Sequence, residues 1–362
     1  MEKGTKYLLA LNAHPKIGSQ TLKKALVPFA NPEELWLASQ SDLAKKLDPK
    51  IAGLIFEARE KYSPEEEIAK LQKFDIGYVT YYDREYPPLL KELPDCPMIL
   101  YVRGEIKALS KKGIGVVGSR KYSNYGKIVA STLSAECTAG GLSIISGLAL
   151  GIDAFAHEAA LQVGGTTVGV LGCGLDKIYP ISNYQLGRRV IESSGAIISE
   201  FPLGTPPMKQ NFPARNRIIA GLSLGVLVIE AAIQSGALIT AYQALEYNRE
   251  VFAIPGNITS ESSAGTNKLL KEGARLVTSA SDIFENLMLQ QKTAREKARE
   301  ILPATEEEGR IVQVLQKEEL SVDDIIKQTG YNVIIVSTTL TMMEMKGFVK
   351  NLGGGRYGLI GQ

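Results

Sequence analysis

Residues 113–173 read GIGVVGSRKYSNYGKIVASTLSAECTAGGLSIISGLALGIDAFAHEAALQVGGTTVGVLGC. Within them, short apolar runs at 114–117, 142–145 and 167–171 alternate with helical stretches at 127–138 and 152–162. The pattern continues outward, with runs at 196–198, 226–229 and 251–254 and a helical stretch at 237–247. Each run is bounded by Gly, Ser or Asp and lacks the polar alternation of a half-exposed strand. Strands that are apolar on both faces belong to a mostly parallel sheet covered by helices on both sides. The fold class is therefore α/β, with a Rossmann-like, doubly wound, mostly parallel sheet at the centre.

On the N-terminal side, residues 1–70 are helical in spacing. Breaks fall at Pro15, Gly18, Asn31-Pro32 and Asp48-Pro49, so a small orthogonal bundle is expected, SAM-like or helix-hairpin-helix-like. Residues 74–104 read as a strand, a proline-rich bend (Pro87, Pro88, Pro94, Pro97) and another strand. Toward the C-terminus, 286–303 is polar and charged and reads as a linker helix. Beyond it come three helices and two strands around Gly353–Gly355, the order of a winged helix. The domains expected are 1–70, 71–287 and 304–362, with a linker at 288–303.

The chain has 362 residues, 44% of them hydrophobic, enough for two or three domains with a sizeable core. Lys and Arg number 41 against 39 Asp and Glu, a net charge of +2, so the whole-chain average says nothing of a polyanionic partner. Three scattered cysteines (Cys96, Cys137, Cys173) and two histidines (His14, His157) argue against a disulfide framework, structural zinc and most metal or nucleophile–His sites. No apolar stretch is long and uninterrupted enough for a membrane span, and the N-terminus lacks a signal-like apolar run, so a reducing, cytoplasmic location is expected. No cofactor and no metal is expected.

Local charge is more telling. Residues 106–135 hold six cations (Lys107, Lys111, Lys112, Arg120, Lys121, Lys127) and no acid, and the acid-free window 201–229 holds Lys209, Arg215 and Arg217. Asn211, Phe212 and Asn216 are interleaved with the second set. Both windows flank strand–helix junctions, where a doubly wound sheet binds its ligands. Cations neutralise phosphates and a ring offers a stacking platform, which together suit an unpaired nucleic-acid strand.

Enzymatic readings fare worse. Gly113, Gly115 and Gly118 do not open a helix as a dinucleotide fingerprint requires. Gly118 to Gly126-Lys127 is too long for a P-loop, and Ile128 stands where its Ser/Thr belongs. His157 lacks the second His of a zinc motif, since position 161 is Leu. Asp153 follows a glycine-rich turn and is expected to cap backbone amides, and Glu230 at a strand end is the better candidate for ligand contact. No catalytic residue is assigned. The helix NVIIVSTTLTMMEMK (332–346) has no cation before Lys346, so the winged helix is expected to meet a protein partner rather than a DNA groove.

Taken together, the motifs resemble the DNA-processing proteins called DprA or Smf. The strings that carry this are GVVGSR (115–120), SGLALGIDAFAHEAAL (146–161), GVLGCGLDKIYPISN (169–183), NFPARNRIIAGLS (211–223), SGALITA (235–241), REVFAIPG (249–256) and GTNKLLKEGA (265–274). The resemblance implies a non-enzymatic protein that binds and protects incoming single-stranded DNA during natural transformation. It also implies loading of the recombinase RecA and action as a homodimer. Residues implied at the DNA are Arg120, Lys209 and Phe212, with Gly118, Ser119, Lys121, Arg215, Asn216 and Arg217 around them. Leu270 and Leu276 are implied at the dimer surface. The rival readings are a phosphoribohydrolase-like nucleotide enzyme, whose PGGxGTxxE string is only superficially approximated by PGNITSE (255–261), and a winged-helix regulator.

Overall fold

The computed structural model describes residues 4–289, 305–316, 318–346 and 348–359. The chain divides into a large unit that ends at Met288 and a small one from Leu289 onward, with which Ala139–Gly141 are grouped. The expected linker at 288–303 lies, from residue 290, outside the described residues.

The large unit is organised by a nine-stranded sheet. Its strands are β1 (Gly77–Thr80), β2 (Ile99–Gly104), β3 (Gly113–Val117), β4 (Ser143–Ser146), β5 (Thr167–Val170), β6 (Ala196–Ser199), β7 (Gly225–Val228), β8 (Glu250–Ala253) and β9 (Arg275–Leu276). They lie in the order β1-β2-β6-β5-β4-β3-β7-β8-β9. The pairs from β6 through β9 are all parallel. All six apolar runs read from the sequence are strands here, and β3 to β7 are buried along their whole length, which is why they lack alternation. Chain direction reverses its progress at β3, which pairs with β4 on one side and β7 on the other. This is the topological switch point, where the loops diverge and leave a crevice.

The proline-rich segment does more than connect. β2 pairs antiparallel with β6 and carries β1 on its outer edge. Ile99, Leu100, Tyr101 and Val102 of β2 are buried, and Tyr86 Oη donates to Pro97 O at 2.6 Å across the bend. Ahead of it stand the helices Thr5–Asn12, Ser19–Leu26, Pro32–Leu37, Gln40–Lys46, Pro49–Lys61 and Pro64–Lys73. The breaks at Asn31-Pro32 and Asp48-Pro49 are helix starts: Asn31 and Asp48 cap the next helix with a side-chain oxygen and are followed by proline at the first helical position, and Ser63, not read as a break, does the same. Leu8, Leu22, Leu35 and Ile55 belong to the same apolar cluster as Tyr101, Leu171 and Ile197, so bundle and sheet share one core.

The small unit has the three helices and two wing strands read from the sequence, and adds a short third strand before the second helix. Helices Glu306–Leu315, Val322–Thr329 and Val333–Met345 pack with a sheet of β10 (Leu320–Ser321), β11 (Val349–Gly353) and β12 (Arg356–Leu359), ordered β10-β12-β11. Ser321 caps the second helix, and Gly330 ends it at φ 75°, a left-handed conformation suited to glycine. Ile311, Leu315, Ile325, Val336, Leu340 and Met343 fill its core. No helix among the described residues is long and apolar enough to cross a membrane.

Candidate functional site

The crevice at the switch point is a cavity of about 500 Å³. It is walled by the loop after β3, the loop after β4, the helix Asn211–Leu222 and the start of the helix Gly236–Glu246. Two glycines let the first two loops touch. A Cβ on Gly118 would lie 2.7 Å from Ile152 Cγ1. One on Gly151, at φ 80°, would lie 2.5 Å from Ser119 O. Any side chain at either position would push the loops apart.

The loop after β3 is held from behind. Ser119 N donates to Glu230 O at 2.8 Å. Glu230 accepts from Ser123 N (2.9 Å), Ser123 Oγ (2.5 Å) and Ser262 Oγ (3.2 Å). This carboxylate is 2% exposed. Its oxygens are committed to the loop, so the strand-end acid singled out in the sequence is an anchor and not a ligand contact. Ser119 Oγ donates to Lys121 O (2.7 Å) and accepts from Lys121 N (3.0 Å), which folds the tip back and leaves Arg120 and Lys121 exposed.

Gly118, Ser119, Arg120, Lys121, Phe212, Arg215 and Asn216 all line this cavity. Arg120 Cζ lies 5.4 Å from the centroid of the Phe212 ring, and Tyr179 stacks beside that ring at 6.1 Å and 28°. Lys209 does not line the cavity. It sits exposed one turn before Phe212, whose N–H donates to Lys209 O at 3.4 Å. Arg120, Lys121 and Lys209 have no carboxylate partner among the described residues.

Arg215 plays a different part from the exposed cations. It is 5% exposed, with Nη1 donating to Gly147 O (2.6 Å) and to Val170 O, and Nε donating to Asn216 Oδ1 (3.0 Å). Burial lowers its pKa to about 10, with Asp153 opposing, so at neutral pH it remains a fixed positive charge under the crevice. Asp153 takes a backbone amide as expected, but it is that of Gly147 in the preceding loop (3.1 Å) and not one of its own helix, and burial raises its pKa above the usual range against the pull of Arg215. His157 is structural: Leu148 N donates to its Nε2 (3.3 Å), leaving Nδ1 to meet Thr167 Oγ1 at 2.6 Å. Burial first, and the Arg215 charge second, push its pKa down to about 3.

Arg217, like Lys209, is absent from the crevice lining, and its side chain is turned away. Its Nη2 pairs with Glu200 and its Nε lies 3.5 Å from Asp95 Oδ2. Two positions along a helix turn the side chain by about 200°, so Arg215 and Arg217 face opposite ways. Sequence reasoning also missed Tyr179. It lies inside GLDKIYPISN, but neither charge nor periodicity singles it out. Leu276 is 54% exposed on β9, while Leu270 is partly buried against the core.

Residues 77–288 match the family model described as DNA recombination-mediator protein A, and residues 295–355 match that of the DprA winged helix domain. Protein Smf of Escherichia coli (strain K12) is 41% identical over 276 residues, covering 75% of this chain and 74% of that protein. The X-ray structure of DNA processing protein A (DprA) from Streptococcus pneumoniae is similar at a TM-score of 0.70 and 36% identity, covering 77% of this chain and 97% of that one. A structure of DNA processing protein A from Helicobacter pylori, described for its single-stranded DNA binding mode, is similar at a TM-score of 0.53 and 33% identity, covering 58% of this chain and 95% of that one. These matches bear out both the family and the Rossmann-like fold read from the motifs.

Proposed function

The chain belongs to the DNA recombination-mediator protein A family, the DprA/Smf DNA-processing proteins, and from that premise we propose that it binds single-stranded DNA in the switch-point crevice and does no covalent chemistry there. The observation that carries this reading is the exposed guanidinium of Arg120 over the Phe212 ring, 5.4 Å from its centroid. A cation without a carboxylate beside a half-buried ring serves a phosphate and its base at once, with little sequence preference. Lys121 and Lys209 add phosphate contacts at the rim, and Arg215 supplies a buried positive field from below. The single-stranded DNA binding described for the Helicobacter pylori relative supports a single strand as the ligand.

In this reading the strand is shielded within the crevice and handed to RecA. Two protomers join through a surface that includes Leu270 and the sheet edge at Leu276, so that one strand crosses two crevices. Such a protein works in the cytoplasm, where incoming DNA meets the recombinase. The rival hydrolase reading assigns its acid–base work to Glu230 and Asp153, and Glu230 is committed to Ser123 and Ser262 while Asp153 is buried and accepts from Gly147 N.

The deciding experiment is a mobility shift comparing oligo-dT with duplex of equal length. Preference for the single strand that Arg120→Ala or Phe212→Ala removes is the expected result. Equal or tighter duplex binding that survives both substitutions overturns the reading.

A further inference from the structure

Next to the crevice, outside the residues assigned to it, lies a second pairing of rings and a cation. Tyr122 meets Phe155 edge to face, with centroids 4.6 Å apart and planes at 87°. Lys127 Nζ lies 5.4 Å from the centroid of Phe155. Tyr122 is on the loop that carries Arg120, Lys127 is in the first turn of the helix Asn124–Ala139, and Phe155 is in the first turn of the helix Ile152–Gln162. Tyr122 keeps 46% of its surface open, and Lys127 is exposed with no carboxylate partner among the described residues.

The loop holding this group is fixed at both flanks. Before Tyr122, Ser119 N donates to Glu230 O at 2.8 Å, and after it Ser123 is bonded to the Glu230 carboxylate through its N–H and its hydroxyl. Tyr122 is thus presented on a rigid support, which lowers the ordering cost of whatever it binds. Arg120 and Tyr122 are two residues apart, so their Cα atoms lie within about 7 Å. The second group therefore begins one loop position beyond the first.

Its chemistry is like that of the first group: an exposed ring, a neighbouring ring and an unpaired cation, with Tyr122 and Lys127 in a window (106–135) without an acid. A ligand that suits both in succession has flat faces and negative charges at regular spacing along one chain. An apolar peptide has no use for the unpaired lysines, and a duplex hides its base faces. We propose that Tyr122, Phe155 and Lys127 form a second stacking step that carries the same single strand out of the crevice across the starts of these two helices. This inference rests on the crevice itself being a single-strand site.

The test uses the full chain, two lengths of oligo-dT and fluorescence anisotropy. An oligomer of about 4 nucleotides fills the crevice alone, and one of about 16 nucleotides reaches the second step. Tyr122→Ala is expected to leave the short oligomer's affinity unchanged and to weaken the long one about 5- to 100-fold, as loss of one stacked base does. Tyr122→Phe keeps the ring and is expected to restore the long oligomer's binding. Lys127→Ala should lower the salt slope for the long oligomer by about 0.7 and not that for the short one. Wild-type affinity of Tyr122→Ala for the long oligomer overturns the second step. Failure of the crevice reading gives a different signature, since Phe212→Ala would then bind both lengths as tightly as wild type, and the second step falls with it.

Discussion

The guanidinium of Arg120 lies over the ring of Phe212, with 5.4 Å between Cζ and centroid, although 91 positions separate the two in sequence. One comes from the loop after β3 and the other from the first turn of the helix Asn211–Leu222, which meet because both elements converge on the switch point. Contact between the two makes their contributions to binding non-independent. Phe212→Ala is expected to weaken oligo-dT binding by about 1–3 kcal/mol without changing its salt dependence. Arg120→Ala is expected to weaken binding and lower the salt slope by about 0.7. The double variant should lose less than the sum. Anisotropy titrations over a salt series read all three quantities, and strict additivity would separate the two side chains energetically.

Arg217 offers a contrast on the same helix. Its guanidinium is spent on Glu200, whose pKa burial raises above the usual range while Arg217 opposes. Removing the cation leaves a buried acid without its partner. Arg217→Ala is therefore expected to cost about 3–5 kcal/mol of stability, read by urea unfolding. At a temperature where the variant is folded, its affinity for oligo-dT should equal that of wild type. A selective loss of DNA binding with stability intact would return Arg217 to the interface.

This contrast shows how far the sequence could be read. The central strands are legible because each is covered on both faces and must be apolar throughout, as in Ile114-Gly115-Val116-Val117. The helix starts of the N-terminal bundle are legible because cap and proline sit side by side, as in Asn31-Pro32 and Asp48-Pro49. The helix Asn211–Leu222 is not, because its buried face includes Asn211 and Arg215, polar residues satisfied by carbonyls from β4 and β5 loops distant in sequence. Without that helix, Arg215 and Arg217 read as one patch. Within the site, charge pointed to Arg120 and Lys209, but the stacking of Tyr179 on Phe212 depends on two loops meeting, and local spacing carries no trace of that.

Glu230 gives a test that separates anchor from catalyst. In Glu230→Gln one amide hydrogen-bonding position points a donor at Ser123, whose N–H and hydroxyl both donate in the native loop. A mispaired buried group of this kind costs about 1–3 kcal/mol. The expected result is a lower unfolding midpoint and weaker oligo-dT binding as the loop bearing Arg120 loosens. Purified wild type should release no base or ribose phosphate from nucleotides. Turnover that the variant abolishes would favour the hydrolase reading.

His157 makes stability pH-dependent. Its pKa is pushed down to about 3 in the folded chain, below an unfolded value near 6.5. Unfolded chain therefore takes up this proton first as acid is added. The contribution is fully present above pH 6.5 and is lost as pH falls toward about 3. Asp153, with its pKa raised by burial, acts in the opposite direction, losing its contribution as pH rises. A difference measurement isolates the histidine. The stability gap between wild type and His157→Gln should shrink below pH 6.5 by up to about 1.4 kcal/mol per pH unit. A gap that stays constant from pH 7 to 4 would mean that this imidazole is not held neutral.

Leu276 tests the assembly. It is 54% exposed on β9, a two-residue strand with no neighbour on its outer side among the described residues. An exposed leucine at an open sheet edge suits a self-complementary contact, in which each protomer offers the same patch. Leu276→Lys places a charge in that patch, and two such charges face each other across a twofold axis. Sedimentation is expected to move from dimer to monomer. Avidity supplies the second readout: a long oligo-dT that spans both crevices should lose affinity on dissociation, whereas a short one that fills a single crevice should not. Loss on both lengths would place the leucine's effect in the crevice, and a dimer that persists with the lysine in place would move the interface elsewhere on the protein.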